Sequence, residues 1–206
     1  TDNFRNILDQ YKDIVTLIDW PLDDWQQQQA YKNYCETYGK DTTWVAFIDV
    51  DEFIVYKGDG SIKDFLDNNI DYNAFILPWK IFGTSGHVSR PNGLVIENYT
   101  STHTKQPAPR RKSVCQAKNI DFDNITSPHR FAFKQEGKEE YTDIEFMSIY
   151  HYMLKSQDDI TYRVSKGDSW NKERTIFKSS RPKKIESNLL AKYDNTDITD
   201  NYMFQY

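Results

Sequence analysis

Several features that would indicate whole classes of protein are missing from this 206-residue sequence. Its two cysteines are too few for a disulfide framework or a thiolate metal site. No apolar run approaches the roughly 18 residues of a membrane-spanning helix and no signal-peptide pattern opens the chain, so we expect no membrane span and a cytoplasmic location. With 31 acidic against 26 basic residues, the net charge of −5 argues against nucleic acid as the main partner.

The rest of the composition is that of one folded domain over residues 1–206, with 38% apolar and 28% charged residues. Aromatic residues reach 15%, and such rings suit a site that stacks a sugar or a base. Basic residues cluster in "PRRK" (109–112) and "RPKK" (181–184). Solvated loops are the simpler interpretation of both, and contact with a small phosphorylated ligand is the alternative. The polar tail, residues 181–206, is expected to wrap loosely around the domain.

Hydrophobic periodicity predicts an α/β fold. A strand at 13–20, a helix over 22–39 and a strand at 43–49 would form a strand–helix–strand unit, which favours a mostly parallel central sheet flanked by helices. Residues 80–93 are rich in Gly, Ser and Pro and are predicted to form a loop. Further strands are predicted at 74–79, where Pro78 would end the strand, and at 94–100, 111–118 and 144–152, and further helices at 4–11, 61–69 and 155–167.

The stretch "WVAFIDVDEF" (44–53) places three acids, Asp49, Asp51 and Glu52, at the end of a predicted buried strand. Carboxylates are seldom buried unless a positive group pairs with them, so a lysine, an arginine or a metal ion is expected here. On a strand, Asp49 and Asp51 would project to one side while Val50 and Glu52 face away. Such a pair can hold Mg²⁺ or Mn²⁺ at the end of a sheet strand. The structural alternative is an Asp pair that caps backbone N–H groups and is answered by a lysine.

Three metal-using classes share an Asp-x-Asp pattern. Aspartyl-phosphate hydrolases need Thr or Val two positions after it, where this chain has Phe53. A calcium loop needs Gly at its sixth position, which is Ile54 when Asp49 is counted as the first. Nucleotide-sugar glycosyltransferases of the GT-A fold bind the metal of the donor diphosphate with this motif, and nothing in the sequence contradicts that class.

"WVAFIDVDEFIV" resembles the motif region of glycosyltransferase family 92 and its family-2-like relatives, with a weaker likeness to glycosyltransferases of large algal viruses. Other landmarks follow the order of that family over about residues 13–170: "VTLIDWP" with "QQQQAYKNYC", "PWKIFGTSGH", "PHRF" and "YHYMLKS". The resemblance implies a single GT-A-like domain. It also implies a metal-dependent enzyme that uses Mn²⁺ or Mg²⁺ to transfer a sugar from a nucleotide-diphosphate donor, a UDP-sugar, to a glycan or glycoprotein acceptor.

The resemblance also implies roles for individual residues. Asp49 and Asp51 would form the metal motif, with Asp51 the direct ligand and Asp49 partly a ribose contact, and His151 would complete the metal shell. A neutral imidazole suits Mn²⁺. The residues implied to bind the donor or substrate are Trp79, Lys80, Gly83, Ser85, Gly86, His87, Lys155 and Lys166.

A general base is needed only if the reaction inverts the anomeric centre. Asp168 is our candidate for that catalytic role and Asp143 a second one, while His87 and His129 either touch substrate or make structural hydrogen bonds. Family members usually begin with a further strand and helix, so this chain is expected to lack that first unit and part of its nucleotide site. The alternative function is a non-catalytic carbohydrate- or metal-binding module derived from the same fold.

Overall fold

The computed structural model of the protein describes residues 3–20, 27–106, 110–125, 127, 129–166, 182–194 and 196–205. In these ranges the α-helices are α1 (Phe4–Asp9), α2 (Gln27–Thr37), α3 (Ile62–Asp67), α4 (Val95–Asn98), α5 (Gln157–Lys166) and α6 (Pro182–Tyr193). The strands are β1 (Trp44–Ala46), β2 (Glu52–Tyr56), β3 (Tyr72–Ile81), β4 (Ser101–Thr102), β5 (Arg111–Gln116), β6 (Lys138–Tyr141), β7 (Met147–His151) and β8 (Ile198–Thr199). This content confirms the α/β class. Among these residues, no helix is long and apolar enough to cross a membrane.

The central sheet is mixed, so the prediction of a mostly parallel sheet is not confirmed. Its strand order is β1-β5-β3-β7-β2, with β6 also paired to β3. Strand β3 is parallel to β6 and β7, whereas the β1–β5, β3–β5 and β2–β7 pairs are antiparallel. The sequence pattern predicted buried strands such as β3, β5 and β7 but carried no information on which strands pair.

Strand β3 continues through Pro78 instead of ending there. Its first half pairs with β6 as far as the partners Ile76 and Tyr141, and its pairing with β7 begins at Trp79. On the opposite edge, the Trp79 N–H donates to the carbonyl oxygen of Arg110 (2.9 Å). Pro78 therefore lies where β6 has ended and β7 has not begun, a position at which its missing N–H interrupts no ladder bond.

The predicted strand at 13–20 is wrong. Residues 11–14 form a turn, residues 15–20 have no regular secondary structure, and apolar side chains such as Ile14 and Leu17 remain exposed. A β-branched segment becomes a strand only where a partner supplies hydrogen bonds, and none of the described strands pairs with it. The helix that was predicted to follow is confirmed for Gln27–Thr37, and residues 21–26 lie outside the described ranges.

Two further segments differ from their predictions. Residues 94–100 contain helix α4 instead of a strand, because the Glu97 carboxylate accepts the Leu94 N–H (3.0 Å) and the Asn98 amide donates to the Leu94 carbonyl (2.8 Å). The tail that was expected to wrap loosely forms α6 and β8, and Tyr193 at the end of α6 is buried.

The main apolar core packs α3, α5 and α6 against β3 and β7. Leu66 of α3, Leu77 of β3 and Ile160 of α5 are buried members, and Leu190 of α6 packs against them. Ser61 begins α3 with the predicted side-chain cap. Because this core fixes β7 between β3 and β2, the end of β7 is held beside the start of β2.

Candidate active site

The acidic stretch lies in a turn between β1 and β2. The Glu52 N–H donates to the Asp49 carbonyl (3.0 Å), and the Asp49 N–H donates to Oε2 of Glu52 (3.0 Å). These reciprocal bonds close the chain into a turn, which leaves Val50 fully exposed at the tip and the Glu52 side chain fully buried. The prediction that Val50 and Glu52 share one face of a strand is therefore wrong.

One lysine forms ion pairs with two of the three acids. Lys112 on β5 is buried, and its Nζ lies 3.2 Å from Oδ2 of Asp49 and 3.3 Å from Oε2 of Glu52. Burial raises the pKa of Glu52, and the Asp49 N–H and the charge of Lys112 oppose that rise. Lys112 belongs to the "PRRK" cluster, for which solvated loops were the simpler interpretation, so that interpretation fails for this residue. The available signal was its place inside the predicted strand 111–118.

Asp51 faces a different set of groups. Its Oδ1 lies 3.6 Å from Nε2 of His151, and its Oδ2 lies 3.9 Å from Nζ of Lys155. Burial would raise the pKa of Asp51, but His151 and Lys155 together lower it. The Asp51 carbonyl also accepts the Tyr152 N–H (2.9 Å), which ties the turn to the residue after β7. Asp51 and His151, two of the predicted metal ligands, thus lie next to each other, and their role as ligands stays a prediction.

His151 ends β7, where it is the cross-strand partner of Glu52. Its Nδ1 lies 3.9 Å from Oε1 of Glu52, while its Nε2 is the atom nearest Asp51. The imidazole therefore lies between two carboxylates, one fully buried and one that is 23% exposed.

Four buried polar atoms of this centre have no hydrogen-bond partner among the described residues: Trp79 Nε1, Glu52 Oε1, His129 Nδ1 and His151 Nδ1. The Trp79 ring lies beside both histidines, since its centroid is 4.3 Å from that of His151 and 5.5 Å from that of His129. Burial, followed by the charge of Lys112, lowers the pKa of His129. Because buried polar groups are normally paired, such a cluster indicates a place where a ligand or water binds.

The side chains of this centre that could hold a metal ion are the carboxylate of Asp51 and the imidazole of His151. The carboxylates of Asp49, Asp51 and Glu52 face the two ammonium groups of Lys112 and Lys155, and three minus two leaves one excess negative charge. Within the described ranges, no group of three or more His, Cys, Asp or Glu side chains could enclose a metal ion. Asp51 and His151 offer one oxygen and one nitrogen, which suits an ion whose shell is completed by substrate phosphates and water.

Two other predicted donor contacts, Trp79 and Lys80, point in different directions because side chains alternate along β3. Trp79 lies in the centre beside His151, as described above. Lys80 is buried, and its Nζ lies 2.6 Å from Oδ2 of Asp200 and 2.9 Å from Oε1 of Glu145. Lys80 thus connects the sheet to the C-terminal segment and is not part of the acidic centre.

The loop that carries the implied donor- or substrate-binding residues Gly83, Ser85, Gly86 and His87 is held by structural contacts. A Cβ at Gly83 would lie 2.6 Å from Oδ1 of Asp194, so this glycine permits close approach to the C-terminal segment. Ser85 and Gly86 have positive φ values of 52° and 80° and form the tip of the loop. The His87 ring contacts a backbone carbonyl of α4 (3.1 Å), and the His87 carbonyl accepts an N–H at the start of α5 (3.1 Å). A substrate contact at these positions stays a prediction.

The proposed general bases gain no support from this geometry. Asp168 lies outside the described residues, as does the side chain of Lys166, the last residue of α5. The carboxylate of Asp143 accepts the Glu145 N–H (2.8 Å) in the turn before β7, at the opposite end of that strand from His151.

Comparison with known proteins shows the family to which this chain belongs. A curated glycosyltransferase family 92 protein of Oryza sativa subsp. japonica is 29% identical over 153 residues, which cover 71% of this chain and 25% of the relative. The chain thus spans about a quarter of that relative's length. The family model of glycosyltransferase family 92 matches residues 1–202, so the chain belongs to glycosyltransferase family 92, as the motif resemblance predicted.

Proposed function

We propose that this domain is a metal-dependent glycosyltransferase of GT-A-like architecture. It moves a sugar from a nucleotide-diphosphate donor, a UDP-sugar, to a glycan or glycoprotein acceptor, and Asp51 and His151 hold Mn²⁺ or Mg²⁺. The observation that carries the proposal is the approach of one carboxylate and one imidazole in a centre with excess negative charge. When bound, the cation offsets the negative charge that develops on the leaving diphosphate.

Lys155 is the residue we assign to the donor phosphate. Its backbone has a φ of 59°, a strained conformation for a residue other than glycine, and such outliers cluster at functional sites. Its side chain is 31% exposed while its Nζ lies near Asp51, so it can approach a phosphate oxygen without leaving the carboxylate. Lys155 also lines a cavity of about 270 Å³ with Arg90 and Tyr99, which we assign to a sugar.

Asp49 is the residue we assign to the ribose of the donor. Lys112 fixes its Oδ2, yet the side chain remains 45% exposed, so it accepts a hydrogen bond from a ribose hydroxyl in our proposal. The exposed Val50 between the two aspartates leaves the turn open to a ligand.

Thermal unfolding tests the donor site with UDP, with Mn²⁺, with both, and with GDP in place of UDP. A ligand at a hundred times its dissociation constant adds about 2.7 kcal/mol. For a chain of this size that is a rise in Tm of roughly 5–10 °C, at ~2–4 °C per kcal/mol. We expect the full rise only when UDP and Mn²⁺ are present together.

The matched variants are Asp51→Asn in the centre and Asp67→Asn, an exposed carboxylate on α3 that pairs with Lys63. The first should lose the combined rise and the second should keep it. UDP binding that is independent of Mn²⁺, or unchanged in Asp51→Asn, would contradict the metal assignment. Metal-dependent hydrolysis of donor sugar separates an enzyme from the alternative, a binding module, which would bind without turnover.

A further inference from the structure

We propose that Glu52 is a positioning residue that sets the tautomer of His151, keeping the ring proton on Nδ1 and the lone pair of Nε2 toward Asp51. The two residues are direct partners across the β2–β7 ladder, and Oε1 of Glu52 lies 3.9 Å from Nδ1 of His151. Both atoms are buried, and neither has another hydrogen-bond partner among the described residues. If the two atoms moved about 1 Å closer together, they would form a charge-assisted hydrogen bond.

The two oxygens of Glu52 have separate environments. Oε2 accepts the Asp49 N–H (3.0 Å) and lies 3.3 Å from the ammonium group of Lys112, so both of its neighbours are donors. Oε1 faces only the His151 ring among these groups. Since the Glu52 side chain is fully buried, an acceptor that finds no donor there is costly, and a proton on Nδ1 of His151, 3.9 Å away, would supply that donor after a small approach.

The imidazole has carboxylates on two sides but only one proton when it is neutral. One of its two nitrogen–carboxylate contacts must therefore lack a proton. Oε1 of Glu52 is sealed from solvent, whereas Asp51 is 23% exposed and can be reached by a cation. The proton consequently belongs between His151 and Glu52, and Nε2 is left as a ligand beside Asp51.

Replacing Glu52 by glutamine gives a sharp test, because the amide has one acceptor and one donor end. Lys112 and the Asp49 N–H are both donors, so they require the amide oxygen. The amide NH₂ must then face Nδ1 of His151, which can accept only if the ring proton moves to Nε2. Glu52→Gln should therefore reverse the tautomer while it keeps the shape of the side chain.

Nitrogen-15 NMR of the metal-free protein, recorded where the rings are neutral, reads the tautomer directly. The chain has four histidines, and a His151→Gln variant assigns the signal. We expect the Nδ1–H form in the unmodified protein and the Nε2–H form in Glu52→Gln. The matched control is Glu145→Gln, which makes the same change at a lysine-paired carboxylate near the other end of β7 and should leave the His151 signal unchanged.

The Nε2–H form in the unmodified protein, or an unchanged tautomer in a folded Glu52→Gln variant, would overturn the proposal. If that variant does not fold, the tautomer measured in the unmodified protein is by itself the test of the proposal. The consequence for metal binding rests on the proposed function: Mn²⁺ affinity, measured by electron paramagnetic resonance, should fall ~10–100-fold in Glu52→Gln. An Nδ1–H ring in a protein that binds no Mn²⁺ would support the role of Glu52 and refute the metal-dependent function.

Discussion

Replacing Lys112 by methionine should destabilise the fold more than any surface substitution. The side chain is 2% exposed and its partner Glu52 is 0% exposed, so the change removes a charge and leaves a buried carboxylate without its cation. Breaking a buried pair from one side typically costs about 3–5 kcal/mol. The second contact, with the half-exposed Asp49, adds at most about 1 kcal/mol.

Urea unfolding, followed by far-UV circular dichroism, measures this loss as a fall in the free energy of unfolding. At ~2–4 °C per kcal/mol, a loss of 3–5 kcal/mol corresponds to a Tm lowered by roughly 6–20 °C. The matched control is Lys138→Met, which removes a lysine whose side chain is 63% exposed and pairs with the exposed Asp71. That variant should lose no more than about 1 kcal/mol.

A second substitution separates charge from packing. In Lys112→Met combined with Glu52→Leu, the buried pair is replaced by apolar side chains of similar size, an exchange that is often close to neutral. Most of the lost stability should therefore return. A loss below about 1 kcal/mol in Lys112→Met, or no recovery in the double variant, would refute the argument that an unpaired buried charge is responsible.

Three further predictions concern the parts of the fold that surround the centre. Gly83→Ala should cost about 1–3 kcal/mol, because the added Cβ would lie 2.6 Å from Oδ1 of Asp194, and a Tm that does not fall would contradict this close contact. Ser61→Ala removes the half of the α3 capping box in which the Ser61 Oγ accepts the Asp64 N–H (3.1 Å), and should cost ~1 kcal/mol in urea unfolding, against almost nothing if the cap is not formed. Burial would raise the pKa of Asp200, but hydrogen bonds, first of all from Lys80, lower it. The ionised carboxylate therefore stabilises the fold above the unfolded-state pKa of about 3.9, and this contribution is lost as pH falls through the folded-state pKa. In Asp200→Asn, the free energy of unfolding should therefore fall less steeply as the pH is lowered below about 4. Equal slopes in both proteins would contradict a lowered pKa for Asp200.

Local signals in the sequence were sufficient for elements whose stability is local or whose burial is continuous. Ser61 and the apolar spacing after it predicted α3, and the uninterrupted apolar run before Pro78 predicted most of β3. The late apolar segment predicted β7 and so placed His151 at the end of a strand. In each case a few adjacent residues carry the physical cause.

The features that the sequence did not predict depend on partners far along the chain. Residues 13–20 have strand composition but no partner strand among the described residues, and Pro78 is tolerated only because two neighbouring strands leave a gap beside it. The period-two argument for Asp49 and Asp51 assumed a continuous strand, whereas the bond from the Asp49 N–H to Glu52 makes a turn. Lys112 lies 63 residues after Asp49, so no local pattern joins them.

The sequence posed a choice between a lysine and a metal ion as the group that balances the acidic stretch. Lys112 pairs with Asp49 and Glu52, which leaves Asp51 for the metal ion that we propose. Glu52 cannot be reached from solvent, so its charge must be met from within the protein, and Lys112 meets it while also fixing Asp49. Asp51 faces an imidazole and a partly exposed lysine, neither of which lies within ordinary hydrogen-bond distance. A permanent cation thus preorganises one side of the turn, and the other side keeps the unsatisfied negative charge that an exchangeable cation requires. We therefore regard the buried ion pair between Lys112 and Glu52 as the support of the metal site that we propose, and not as an alternative to it.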